Sequence, residues 1–109
     1  MLVYVPNFAD QHDDHRAAAR LARAALAAAP PARSPEAWMF EVWTPLATID
    51  RVVDISALID TKARAIHAYA SQCAVMGFEE AFRGLARYRG ELHSWPGGDY
   101  AEVFTRLPP

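Results

Sequence analysis

The sequence predicts an α/β fold, and three observations carry that prediction. Short β-branched and aromatic runs alternate with longer segments of helical apolar spacing, in the order strand, helix, strand, strand, helix, helix, strand. The first of these runs, "LVYV" (Leu2 to Val5), has no polar alternation, as expected of a buried strand in a parallel sheet. The chain has 109 residues, 52% of them hydrophobic and 22% charged, which fits one globular domain and excludes a disordered chain.

Each element has a local cause. Pro6 and Asn7 end the first strand. From about Asp13 to Ala29 runs an alanine-rich helix with Leu21 and Leu26 as its larger apolar groups, and Arg16, Arg20 and Arg23 on a solvated face. "PPARSP" (Pro30 to Pro35) stops it in a stiff loop. "WMFEVW" (Trp38 to Trp43) and "RVVDIS" (Arg51 to Ser56) read as strands joined by a turn-like "TPLATID". Ser56 is placed to N-cap a helix with Ile59, Ala63, Ile66, Ala70 and Cys73 on one stripe. After Gly77, Phe78, Phe82 and Leu85 mark a further helix with Gly90 just past its end. "HSWPGGDY" is a loop, and "YAEVF" (Tyr100 to Phe104) is the last strand.

Composition narrows the function classes. A formal net charge of -2 gives no electrostatic case for nucleic acid or an anionic membrane. A single cysteine, Cys73, forms no internal disulfide. No apolar run approaches the roughly 18 residues of a membrane span, and the N-terminus lacks signal-peptide features. A cytoplasmic protein is expected.

Chemistry concentrates at "ADQHDDHRAA", where two histidines three positions apart bracket two aspartates. With the helix starting at Asp13, His12 lies at or near the N-cap and His15 in the first turn. Residues three apart on a helix lie on one face, roughly 5–6 Å apart at Cβ, so both imidazoles can serve one metal ion or one substrate. A ligating imidazole needs a carboxylate or carbonyl on its other nitrogen, and Asp10, Asp13 and Asp14 are all near enough to supply one. The cluster follows the carboxyl end of a strand, where open α/β sheets place ligands. It also sits at a helix N-terminus, which favours negative charge. Two histidines alone are a partial signal, because zinc sites take at least three protein ligands.

"VYVPNFADQHDDHRAA" resembles the second signature, HPDH followed by a small-residue helix, of the LmbE-like (PIG-L) zinc-dependent N-deacetylases. The resemblance continues in order through "FEVWTPL", "VVDIS", a helix with Lys62, Ser71 and Gln72, then "YRG" and "YAEVF", spanning nearly the whole chain. It implies the C-terminal part of a Rossmann-like α/β/α sandwich with a mainly parallel sheet. It implies that His15 is a zinc ligand and that His12 acts beside the metal, on the oxyanion or as general acid. Asp14 would support the histidines. Asp13 stands where the family usually has proline; both suit a first helical turn, and the added negative charge leaves the acid role of His12 open.

The implied reaction is zinc-assisted hydrolysis of an N-acetyl group, often on an N-acetylglucosamine-type sugar. The family's first signature, an AHPDDE-like motif carrying the other two zinc ligands and the general base, is absent from this sequence. Residues 1–109 therefore read as a single partial domain with half an active site. Three accounts follow: the C-terminal part of a deacetylase, one subunit of a split enzyme whose partner chain completes the zinc site, or a non-catalytic remnant or binding module. An exposed apolar sheet edge near Val3 and Val5, open to another chain, is expected. The isolated chain is expected to bind zinc weakly or not at all and to be inactive.

Most of the remaining candidates read as structural. His67 reads as a helix residue, His93 as a loop residue beside Trp95, and Ser71 with Gln72 as a polar pair packed on a loop. Trp38, Trp43 and Trp95 read as core or interface groups and Cys73 as a core thiol, while Glu102 reads either as a neighbour of the substrate pocket or as a structural hydrogen-bonding group.

Overall fold

A computed structural model describes residues 1–30, 35–94 and 97–109. Most of the predicted Pro30–Pro35 loop, and Trp95, lie outside the described residues. The elements are β1 (Leu2–Pro6), α1 (Asp13–Ala27), β2 (Glu36–Phe40), β3 (Arg51–Asp54), a 3-10 turn (Ser56–Leu58), α2 (Ile59–His67), α3 (Ala70–Cys73), α4 (Phe78–His93) and β4 (Ala101–Arg106). The α/β class holds. The strands form one mixed sheet in the order β1-β2-β4-β3. The expected mainly parallel sheet is corrected: β1 and β2 are parallel, but β2 and β4 are antiparallel, with Trp38 opposite Arg106 and Phe40 opposite Phe104. An apolar run reports burial on both faces and not strand direction, which the connections decide. Here α1 is the crossover that makes β1 and β2 parallel.

The chain divides into two compact units, residues 1–51 with 103–109, and residues 52–102. In the first, Val5 and Met39 face Ala19 of α1, with Val3, Phe8, Ala22 and Leu107 packed around them. Alanine at the contact lets helix and sheet approach closely, and Ala19 is fully buried. Leu21 instead points to solvent at 72% exposure, because it falls on the arginine side of the helix. Arg20 and Arg23 are on the outer side as expected, and Arg23 lies over the Phe8 ring at 4.9 Å. Trp38 is buried, with the Arg106 and Arg51 guanidinium groups 5.0 and 5.6 Å from its ring.

β1 is an outer strand of the sheet. Its exposed side chains are Leu2 (44%) and Tyr4 (49%), not Val3 and Val5, since alternate residues point to opposite faces and the valines lie toward α1. β2 stops three residues short of the expected Trp43, because Glu41 turns to accept the Leu46 N–H at 2.7 Å.

In the second unit, Ile55, Ile59 and Ala86 form the core with Val53 and Tyr100. Ser56 is not the expected helix cap. Its N–H and hydroxyl donate to Asp54 at 2.9 and 2.6 Å, and its hydroxyl accepts the Tyr100 N–H at 3.0 Å. The expected long helix is split at Tyr69, whose φ of -85° and ψ of 62° are non-helical. Cys73 is consequently only partly buried, with its thiol donating to the Ile66 carbonyl at 3.3 Å. Gly90 lies inside α4 rather than past its end, where a Cβ would collide with the Asp99 carbonyl and the Tyr100 nitrogen. This is a close-approach glycine, not a cap.

Candidate functional site

The site begins where β1 ends. The Asn7 N–H donates to the Phe40 carbonyl at 3.1 Å, the Asn7 side chain accepts the Ala9 N–H at 3.0 Å, and the Asn7 carbonyl accepts the Asp10 N–H at 3.0 Å. These bonds turn the chain and carry Asp10 inward, where it is fully buried.

Asp10 is the hub of the cluster. Its carboxylate accepts the N–H groups of His12 at 2.9 Å, Trp43 at 2.9 Å and Thr44 at 3.3 Å. Its Oδ1 also lies 3.2 Å from Nδ1 of His15. The Arg16 guanidinium donates to the Asp10 carbonyl at 2.7 Å and pairs with Asp13. Burial by itself would raise the Asp10 pKa, but the three backbone donors and the nearby His15 outweigh it and hold the group below 3.8. Thr44 adds a second tie between the loops, its hydroxyl accepting the Gln11 N–H at 3.0 Å.

The histidines follow from the helix start. His12 is the N-cap of α1, with extended backbone (φ -84°, ψ 127°). Its Nδ1 accepts the Asp14 N–H at 3.2 Å, in the place of the usual serine or aspartate oxygen. A ring nitrogen that accepts carries no hydrogen, so the neutral ring holds its proton on Nε2. His15, one turn on, stacks against His12 with ring centroids 4.6 Å apart and planes at 27°. His12 is exposed and the His15 side chain is 25% exposed.

His12 and His15 lie side by side at the start of α1, while Asp14 reaches the pair through its backbone alone. Asp14 is exposed, and it touches His12 through its backbone N–H. Within this cluster, the carboxylate bonded to a histidine ring is that of Asp10. Spacing alone does not separate Asp10 from Asp13 and Asp14, and the backbone donors of Trp43 and Thr44, 33 and 34 residues away, carry no sequence signature.

The other candidates fall elsewhere. His67 pairs with Glu79. His93 is the last residue of α4, its ring tilted on Tyr88. Glu102 accepts from Lys62 at 2.6 Å, the structural one of its two readings. Ser71 and Gln72 are exposed rather than packed.

Among the described residues no three His, Cys, Asp or Glu side chains are placed to hold a metal ion. His15, backed on one ring nitrogen by a carboxylate, is the kind of donor zinc takes. It fits one corner of such a site, not the three or four ligands a complete one needs.

No family model matches the chain, and no curated protein matches it. The chain is similar to a solved structure described as the conserved protein TT1542 from Thermus thermophilus, with 34% identity and a TM-score of 0.80 over 99% of this chain. The chain spans 52% of the length of that protein.

Proposed function

We propose that this chain is the His15-bearing half of a zinc-dependent N-deacetylase of the LmbE-like (PIG-L) type, with the Rossmann-like sandwich of that family. Its substrate class is an N-acetylated small molecule such as an N-acetylglucosamine-type sugar. The observation that carries the reading is the stacked imidazole pair at the start of α1, with the buried Asp10 carboxylate behind His15.

The two rings do different work. His15 contributes the ring nitrogen turned away from Asp10 as one zinc ligand. His12, with its proton on Nε2, offers an N–H donor to the oxygen on which negative charge develops, beside the free N–H groups of the helix start. Asp14 positions His12 through its backbone N–H. When bound, zinc would polarise the amide carbonyl and lower the pKa of a water molecule. The remaining ligands and the general base belong to an AHPDDE-type polypeptide, supplied by a longer chain or by a partner.

A second reading is a binding module or remnant. Its support is that Asp10 and His12 each carry structural hydrogen bonds that a non-catalytic chain would also need.

Mixing the chain with a polypeptide carrying the AHPDDE half tests the first reading. Acetate release from N-acetylglucosamine-type substrates, lost in His12→Ala and His15→Ala, is the expected result. A properly folded mixture with no release across a panel of N-acetylated sugars would favour the module.

A further inference from the structure

We infer that Asp10 is a positioning residue that dictates the tautomer of His15, and through it which ring nitrogen faces a ligand. This deepens the reading of His15 as a zinc ligand, and rests on that reading only for its consequence.

Donor and acceptor counting fixes the tautomer. An ionised carboxylate accepts hydrogen bonds and donates none. One Asp10 oxygen already accepts the Trp43 and Thr44 N–H groups, and the other accepts that of His12. The remaining neighbour of Oδ1 is Nδ1 of His15 at 3.2 Å. That contact is favourable only when Nδ1 carries the hydrogen, which leaves the lone pair on Nε2. Because Asp10 is fully buried and tied to backbone donors from two loops, it cannot swing aside to accommodate the other tautomer without leaving donors unmatched. The same bonds place the Trp43–Thr44 segment against the group that orients His15, so the loop after β2 and the ligand nitrogen are set by one side chain.

The Asp10→Asn variant turns this into a sharp contrast. An asparagine can place its oxygen toward Trp43 and Thr44, leaving only the His12 N–H facing its amide hydrogens, or the reverse, leaving two donors facing them. The first arrangement is the better one. It points an N–H at Nδ1 of His15, which must then accept, and the ring hydrogen moves to Nε2.

Nitrogen-15 long-range correlation spectra of the metal-free chain at pH 8 read the tautomer directly. For His15 the wild-type chain should show a pyrrole-type Nδ1 and a pyridine-type Nε2. Asp10→Asn should invert the two, while His12, held by the Asp14 N–H, keeps its pattern. A wild-type His15 with its hydrogen on Nε2 would overturn the assignment, whether or not the variant folds. An Asp10→Asn chain that folds and leaves the His15 tautomer unchanged would do the same. Zinc retention with the AHPDDE half is a separate measurement: its failure beside a correct tautomer sinks the deacetylase reading and leaves this assignment standing.

Discussion

The Nδ1 nitrogen of His15 lies 3.2 Å from a carboxylate oxygen of Asp10, a residue with no solvent exposure. The same carboxylate binds the backbone of Trp43 and Thr44. One acidic group therefore joins the loop after β1, the start of α1 and the loop after β2.

Removing that group should cost stability. Asp10→Ala leaves three backbone donors without their acceptor, and a loss of about 2–4 kcal/mol is expected from the usual cost of unmatched buried donors. Asp10→Asn, which can still satisfy two of the three, should lose less. Urea unfolding monitored by tryptophan fluorescence compares the two, and equal losses would count against the hub role.

Gly90→Ala tests the close approach inside α4. The added Cβ meets the backbone of Asp99 and Tyr100 rather than a flexible side chain, so the loop must move. A loss of about 1–3 kcal/mol is expected from such overpacking, although alanine is the better helix former by roughly 1 kcal/mol. A stabilised variant in thermal unfolding would show that the approach is looser than described.

Asp50 gives a pH dependence with a definite sign. The Arg106 N–H at 2.8 Å and the Thr105 hydroxyl at 2.7 Å bind its carboxylate and hold its pKa below 3.8. A group whose folded pKa is depressed contributes stability above the unfolded value, lost as pH falls through the folded one. The difference in urea midpoint between the wild type and Asp50→Asn should be largest above about pH 5 and shrink as the pH falls below the usual carboxylate range. A difference that stays constant across this range would contradict the assignment.

The outer strand β1 should make the chain associate. Leu2–Pro6 contains no charged residue, and Leu2 and Tyr4 are half exposed, so the edge lacks the lysines that natural sheets use to prevent pairing. Sedimentation velocity should show association growing with concentration, reduced in Tyr4→Lys. A wild-type chain that stays monomeric at every concentration would remove the edge as a docking surface.

Legibility in the sequence follows the range of the interactions. The start of α1 at Asp13 is readable because capping and helical spacing are local, and the His12–His15 pairing follows from the three-residue step. The end of β2 is not, because Glu41 turns to bind Leu46 instead of extending the strand. The break at Tyr69 has no glycine or proline beside it to announce it. Sheet direction escapes the sequence because strand composition reports burial rather than orientation. Asp10 is legible only as one of three aspartates, since its partners Trp43 and Thr44 lie far along the chain.

We propose His15, and not its stacked neighbour His12, as the metal ligand. Zinc content, measured by mass spectrometry after the chain is combined with an AHPDDE-bearing polypeptide and desalted, tests it most directly. Stoichiometric zinc is expected in the wild type and in His12→Ala, with its loss in His15→Ala. Zinc retained in full by a folded His15→Ala complex would contradict it.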